Sequence, residues 1–193
     1  EAPEPPSPCD LVAKVHDATP GVVIVDEAYA EFRRDGTPSA LILLADHPRL
    51  VVTRTMSKAF AFAGARVGYL AASAEIVDAV RIVRLPYHLS AVTQTAARVA
   101  LTHAGELLAK VAELRAERDE LRRWLLHQGL QVPESDANFV LMGTFADRHA
   151  VWQGLLDRGV LIRETGPDGW LRVSVGTPEE MQAFRQALLE VIG

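Results

Sequence analysis

The chain has 193 residues, 49% hydrophobic and 23% charged, with a formal net charge of −5. The apolar share is too high for a disordered chain, the negative balance argues against a nucleic-acid partner, and no apolar run reaches the roughly 18–20 residues that span a bilayer. A single cysteine, Cys9, excludes an internal disulfide and suits a reducing, cytoplasmic setting.

Residues 1–9 carry prolines at positions 3, 5, 6 and 8 and read as a loose leader, without the basic and apolar regions of a secretory signal. Leu11, Val12 and Val15 predict a short helix over 10–17, stopped by Thr19-Pro20-Gly21. Val22-Val23-Ile24-Val25 is an unbroken β-branched run. It predicts a strand buried on both faces, as in a parallel sheet under helices, and it ends in Asp26-Glu27-Ala28-Tyr29. Asp35-Gly36 marks a turn, residues 39–46 read as helical, and a second buried-type strand over 50–55 ends at Ser57-Lys58. Strand, helix and strand in that order make a βαβ unit. A third strand is expected over 66–72 and a helix over 74–84, broken by Pro86. Helices over 90–102 and 104–128 follow. In the second, Leu107, Val111, Leu114, Leu121 and Leu125 form one apolar stripe. Arg118 falls on that stripe, as a buried paired arginine would, and Trp124 reads as core or interface. The last third gives a strand over 138–142 and a helix over 146–158 closed by Gly159. Strands over 160–163 and 170–175 flank Gly166-Pro167-Asp168-Gly169, and a final helix starts at Thr177-Pro178-Glu179-Glu180. The class is α/β: a leader and short helix over 1–20, a parallel layer over 21–88, and a smaller α+β domain over 89–193.

In open parallel sheets, ligands bind beyond the carboxyl ends of the strands. Asp26 and Lys58 fall there, at the ends of the two most apolar strands. Either alone is what an ordinary surface residue would look like. The run Ala59-Phe60-Ala61-Phe62-Ala63-Gly64 puts an apolar collar beside Lys58, which suits a lysine that attacks a carbonyl. The hydroxyls of Thr55 and Ser57 with the guanidinium of Arg66 make a phosphate site, and Tyr29 adds a phenol. Carboxylate, phenol, amine, hydroxyls and guanidinium together match pyridoxal phosphate. His16, His47, His103, His127 and His149 show no ligand spacing, so no metal is expected. His88 reads equally as a pocket or a structural residue.

The stretches Val25-Asp26-Glu27-Ala28-Tyr29, Arg54-Thr55-Met56-Ser57-Lys58-Ala59-Phe60 and Ala63-Gly64-Ala65-Arg66-Val67-Gly68-Tyr69 resemble fold-type-I pyridoxal-phosphate aminotransferases. More narrowly, they resemble the histidinol-phosphate aminotransferases. Arg84-Leu85-Pro86-Tyr87-His88-Leu89-Ser90, Ser135-Asp136-Ala137-Asn138-Phe139-Val140-Leu141 and Leu161-Ile162-Arg163-Glu164 add to that likeness. The resemblance runs from about residue 21 onward and implies the carboxyl-terminal portion of such an enzyme. It implies that Lys58 forms the Schiff base and moves the substrate proton, that Asp26 pairs with the pyridinium nitrogen, and that Tyr29 meets the ring oxygen. Thr55, Ser57 and Arg66 would hold the cofactor phosphate. Arg172 would take the substrate carboxylate, Arg163 a substrate phosphate, and Tyr87 would line the site. Strand alternation places Arg172 and Ser174 opposite Leu171, Val173 and Val175. The implied reaction is transamination between histidinol phosphate and 2-oxoglutarate or glutamate in histidine biosynthesis. The implied assembly is a homodimer or an association with an amino-terminal part. The alternatives are a non-catalytic fragment, half of a split enzyme, or a related enzyme with the same cofactor: a decarboxylase of a phosphorylated amino acid, or an aromatic aminotransferase.

Overall fold

The computed structural model describes residues 7–193. They form two compact units, one ending at Leu108 and the other Ala109–Gly193, whereas the sequence places the division at 88/89. Most of the expected leader, residues 1–6, lies outside the described residues. Pro8 and Cys9 instead open a helix, α1 (Pro8–Ala18). The Ser7 hydroxyl accepts the Asp10 N–H at 3.2 Å and the Asp10 carboxylate accepts the Ser7 N–H at 3.1 Å, so each caps the other.

The first unit carries a sheet ordered β1 (Val23–Asp26), β2 (Leu50–Thr55), β3 (Gly68–Ala72). β1 and β2 are parallel, but β3 runs antiparallel to β2. The sheet is therefore mixed, not purely parallel. The chain beyond β2 turns back before it can cross the sheet, because Met56 N–H donates to Val67 O at 3.1 Å. β1 is covered on one face only. Val23 and Val25 pack with Leu50, Val52 and Val12, while Ile24 stands 65% exposed. The exposure of Ile24 corrects the expectation of burial on both faces. Residues 39–46 make only a short 3-10 turn, Ala40–Leu43.

One polar cluster ties these pieces together. Arg54 on β2 donates from Nε and Nη2 to Glu27 Oε2 at 3.1 and 2.7 Å, with side chains 16% and 12% exposed. The Ser39 hydroxyl donates to the same carboxylate at 2.8 Å, and Ala40 N–H donates to Oε1 at 2.7 Å. Glu31 lies 3.7 Å from Arg54 Nη1, and Tyr69 stands opposite Arg54 on β3. Burial pushes the Glu27 carboxyl up. The hydrogen bonds from Arg54, Ala40 and Ser39 and the Arg54 charge outweigh it, so its pKa lies below the ordinary 4.5.

Beyond β3, α2 (Ala74–Val83) and α3 (Ala91–Thr102) are capped by the Ser73 and Ser90 hydroxyls and bury no residue. α4 (Ala104–His127) leads into the second unit. There its stripe buries Val111, Leu121 and Leu125 beside Arg118, which is 1% exposed. Arg118 donates to Asp119 Oδ1 at 2.9 Å and to Ala137 O at 3.2 Å. β4 (Phe139–Met142) pairs antiparallel with β5 (Leu171–Ser174). α5 (Arg148–Asp157) and α6 (Pro178–Ile192) complete the unit, α6 starting in the expected Thr177–Glu180 capping box. Leu121, Leu125, Val140, Leu155, Phe184 and Leu188 are at most 1% exposed and form the core. Trp124 packs at its margin. Residues 160–163 do not form a full strand; one bridge joins Arg163 to Arg172.

The lowered Glu27 pKa means that its ion pair stabilises the fold above about pH 4.5, and that this contribution is lost as pH falls through the lower native value. Glu27→Gln is expected to cost on the order of 2 kcal/mol at neutral pH. The gap from wild type should shrink in urea melts taken at progressively lower pH; a gap independent of pH would contradict this account. A Cβ at Gly68 would stand 2.8 Å from Arg54 O, a backbone atom that cannot swing aside. Gly68→Ala should therefore lose about 1–3 kcal/mol; an unchanged urea midpoint would contradict the close β2–β3 approach.

Candidate functional site

Parallel pairing of β1 and β2 brings their carboxyl ends to one edge. Asp26 closes β1 and is exposed, while Glu27 beside it turns inward. Asp26 Oδ1 accepts the Ala28 N–H at 3.0 Å and lies 3.4 Å from the Thr53 hydroxyl across the strands. The turn after Asp26 is held by Glu27 N–H to Thr53 O at 2.8 Å and Ala30 N–H to Glu27 O at 3.0 Å. It leaves Tyr29 half-buried. Lys58 Nζ sits 5.6 Å from the centre of the Tyr29 ring. Acid, phenol and amine thus share the carboxyl edge of the parallel pair. Lys58 itself is exposed; Ala59 next to it is buried, but the expected apolar collar does not enclose the amine.

The loop from 56 to 67 collects the expected phosphate ligands. Thr55 Oγ1 lies 2.9 Å from Ser57 Oγ and accepts the Ser57 N–H at 3.1 Å. Arg66 is exposed and donates to Ala63 O at 3.2 Å. Ala61 and Arg66 hold left-handed backbones, φ 51° and 54°, each costing on the order of 1 kcal/mol in a non-glycine residue. Hydrogen bonds Met56 N–H to Val67 O and Phe62 N–H to Met56 O, both 3.1 Å, brace that strain. Hydroxyls and guanidinium therefore stand on one braced loop at the end of β2, the donor set that binds a phosphate.

The second unit holds Arg163 and Arg172, bonded through both backbone groups at 2.9 Å each way. Such a pair puts its side chains on one face, here opposite buried Leu171 and Val173. The Arg172 guanidinium lies 4.6 Å over the Phe139 ring, its diagonal neighbour across the β4–β5 ladder. Arg172 Nε is buried without a partner. Like charges opposite each other on a sheet repel, so two guanidiniums and an orphaned N–H here suit an anion. Both line a cleft of about 880 Å³ with Trp152, Glu164, Ser174 and Glu180. Tyr87, expected beside the substrate, is 99% exposed with φ 56°, in the link between α2 and α3. The structure does not pack it against another candidate.

Sequence reasoning named Glu27 and Arg54 only within motifs and missed their pairing; an arginine inside an apolar strand was the available signal. It also missed Phe139 under Arg172, which only the strand register reveals.

Residues 3–188 match the family described as aminotransferase class I and II. The chain is 64% identical over 186 residues to a histidinol-phosphate aminotransferase of Thermobifida fusca, covering 96% of this chain and 51% of that protein. It is 60% identical over 185 residues to one of Frankia casuarinae, covering 95% and 47%. The chain thus spans about half the length of the relatives it matches. Among solved structures, the histidinol-phosphate aminotransferase of Sinorhizobium meliloti in complex with pyridoxal-5'-phosphate superposes with a TM-score of 0.85 at 28% identity, covering 96% of this chain and 53% of that one. The α/β architecture is that of the fold-type-I aminotransferases. The chain belongs to the class I and II aminotransferase family.

Proposed function

We propose that the chain serves pyridoxal-phosphate-dependent transamination of histidinol phosphate with 2-oxoglutarate or glutamate, in histidine biosynthesis, and that it corresponds to the carboxyl-terminal part of such an enzyme. The observation that carries this reading is the shared edge: Asp26, Tyr29 and Lys58 at the ends of β1 and β2, with Thr55, Ser57 and Arg66 on the adjoining loop. The high identity to relatives named for that reaction supports the substrate.

The donor set fits the cofactor group by group. Bound there, pyridoxal phosphate supplies a cationic ring that draws off the electron pair of the substrate Cα–H bond. The Asp26 carboxylate would hold a proton on the ring nitrogen, and the Tyr29 hydroxyl would donate to the ring oxygen. Thr55, Ser57 and Arg66 would bind the phosphate. Lys58 Nζ would take the proton from the substrate Cα and deliver it to C4′ of the cofactor. Its exposure suits an amine that must reach an incoming substrate. Arg172 would bind the amino-acid carboxylate and Arg163 the substrate phosphate. Because they are cross-strand neighbours, one cationic face would meet the anion of either half-reaction. The first unit would then belong to the cofactor domain and the second to the small domain. Among the described residues, no helix is long and apolar enough to cross a membrane. A cytoplasmic homodimer is the setting we propose, supported by the exposed apolar side chains Ile82, Val83, Leu85 and Val92 and the free Cys9.

Adding pyridoxal phosphate to the folded chain should give the visible band of a lysine-linked cofactor, and Lys58→Ala should remove it without changing the circular dichroism. No band in the wild-type chain, or an unchanged band in the variant, would overturn the assignment. Arg172→Leu should weaken glutamate binding roughly 10–100-fold, read as the substrate concentration that shifts the band. Arg172→Lys should restore little, because a point charge does not replace a planar fork. Equal affinity in all forms would remove Arg172 from the site.

A further inference from the structure

A second constellation lies at the opposite end of the parallel strands and takes no part in the reaction proposed above. His16 stands in the last turn of α1 and His47 just before β2. Both therefore flank the amino-terminal edge of the β1–β2 pair, while Asp26 and Lys58 lie at its carboxyl edge. The two histidines are 31 positions apart in sequence, and that separation hides them from any reading of local ligand spacing. The fold brings their rings to 4.7 Å between centres, edge to face.

The hydrogen bonds sort out the ring nitrogens. His47 Nδ1 lies 2.9 Å from Leu43 O. A carbonyl only accepts, so Nδ1 is the donor, and in the neutral ring Nε2 is the nitrogen left to bind a ligand. His16 Nδ1 faces Asp17 Oδ1 at 3.1 Å. Its Nε2 is buried, with no hydrogen-bond partner, in a side chain only 6% exposed. A buried polar atom left unsatisfied costs free energy, about 1–3 kcal/mol. One potential ligand atom from each of His16, Asp17 and His47 lies within 4.8 Å of the other two. Around a tetrahedral ion with bonds near 2.0–2.1 Å, ligand atoms stand roughly 3.3 Å apart. Small side-chain rotations close that gap, and the Asp17 side chain, 75% exposed, is free to make one and leaves an entry path. Imidazole anchored by a carbonyl through its other nitrogen is the arrangement that metal-bound histidines show.

We propose that His16, Asp17 and His47 form a site for a divalent transition cation of the zinc class, with water as the fourth ligand. Two imidazoles and one carboxylate select against magnesium and calcium, which prefer oxygen donors. The ion would clip the end of α1 to the base of β2. Arg49 already works at this junction, donating from Nη2 to His16 O at 2.9 Å and Thr19 O at 3.0 Å, and from Nε to Gly21 O at 3.3 Å. The site would therefore act on the stability of the first unit and not on the cofactor.

The test uses the full chain, stripped with chelator and titrated with zinc ion alone. Uptake of one equivalent, with a rise in the melting temperature, is expected, and cobalt(II) should show the intense visible absorption of a four-coordinate ion. Because His16 is buried, the half-buried His47 and the exposed Asp17 carry the comparison. His47→Gln and Asp17→Asn should each bind zinc roughly 10–100-fold more weakly while keeping the wild-type circular dichroism. His127→Gln, at an exposed histidine of the second unit, should bind as wild type does. No uptake by the wild-type chain, undiminished uptake by His47→Gln, or loss of uptake in His127→Gln would each overturn the proposal.

Discussion

The candidate cofactor edge depends on one ion pair, Glu27 with Arg54. Glu27 follows Asp26 directly, and alternation along the strand sends the two carboxylates to opposite sides. Anchoring Glu27 inward against Arg54, Ser39 and Ala40 therefore aims Asp26 outward, at the edge where Tyr29 and Lys58 stand. On β2 the same logic applies to Arg54, which precedes Thr55 and the loop with Ser57, Lys58 and Arg66. A largely buried ion pair of this kind adds little net stability compared with a well-packed apolar pair. What it fixes is direction: both strand ends are locked relative to each other by charge-assisted bonds that tolerate few alternatives.

Much of this edge was legible in the sequence because its determinants are local. The β-branched run before Asp26, the apolar strand before Ser57-Lys58 and the capping box at Thr177 each announce an element within a few residues. The alternation Leu171, Arg172, Val173, Ser174 sets Arg172 on the face opposite the core, and the burial of those residues follows that pattern. Arg118, a charge on an apolar stripe, is buried and hydrogen-bonded as its place on the helix implied.

The remainder was not legible because it arises from pairing between distant segments. A run such as Val22-Val23-Ile24-Val25 encodes strand propensity, not what covers each face, so the exposure of Ile24 depends on what packs over its side of β1. The direction of β3 follows from the Met56–Val67 closure, a contact across a loop with no distinctive local pattern. Apolar letters around Lys58 carry no information about whether their side chains point toward its amine, and here they leave it in solvent. His16 and His47 become neighbours only once β1 and β2 are paired.

The opposed guanidiniums of Arg163 and Arg172 have a thermodynamic consequence. In the unfolded chain their charges are far apart and fully hydrated. Folding brings them onto one face with Arg172 Nε buried and unsatisfied, a donor that the native second unit leaves open to an acceptor. An anion that bridges them binds the native state and not the unfolded one, and stabilises it in step with occupancy. By linkage, the affinity for such an anion and the stability of this unit are coupled: whatever tightens the grip on the anion also steadies the hairpin that holds it.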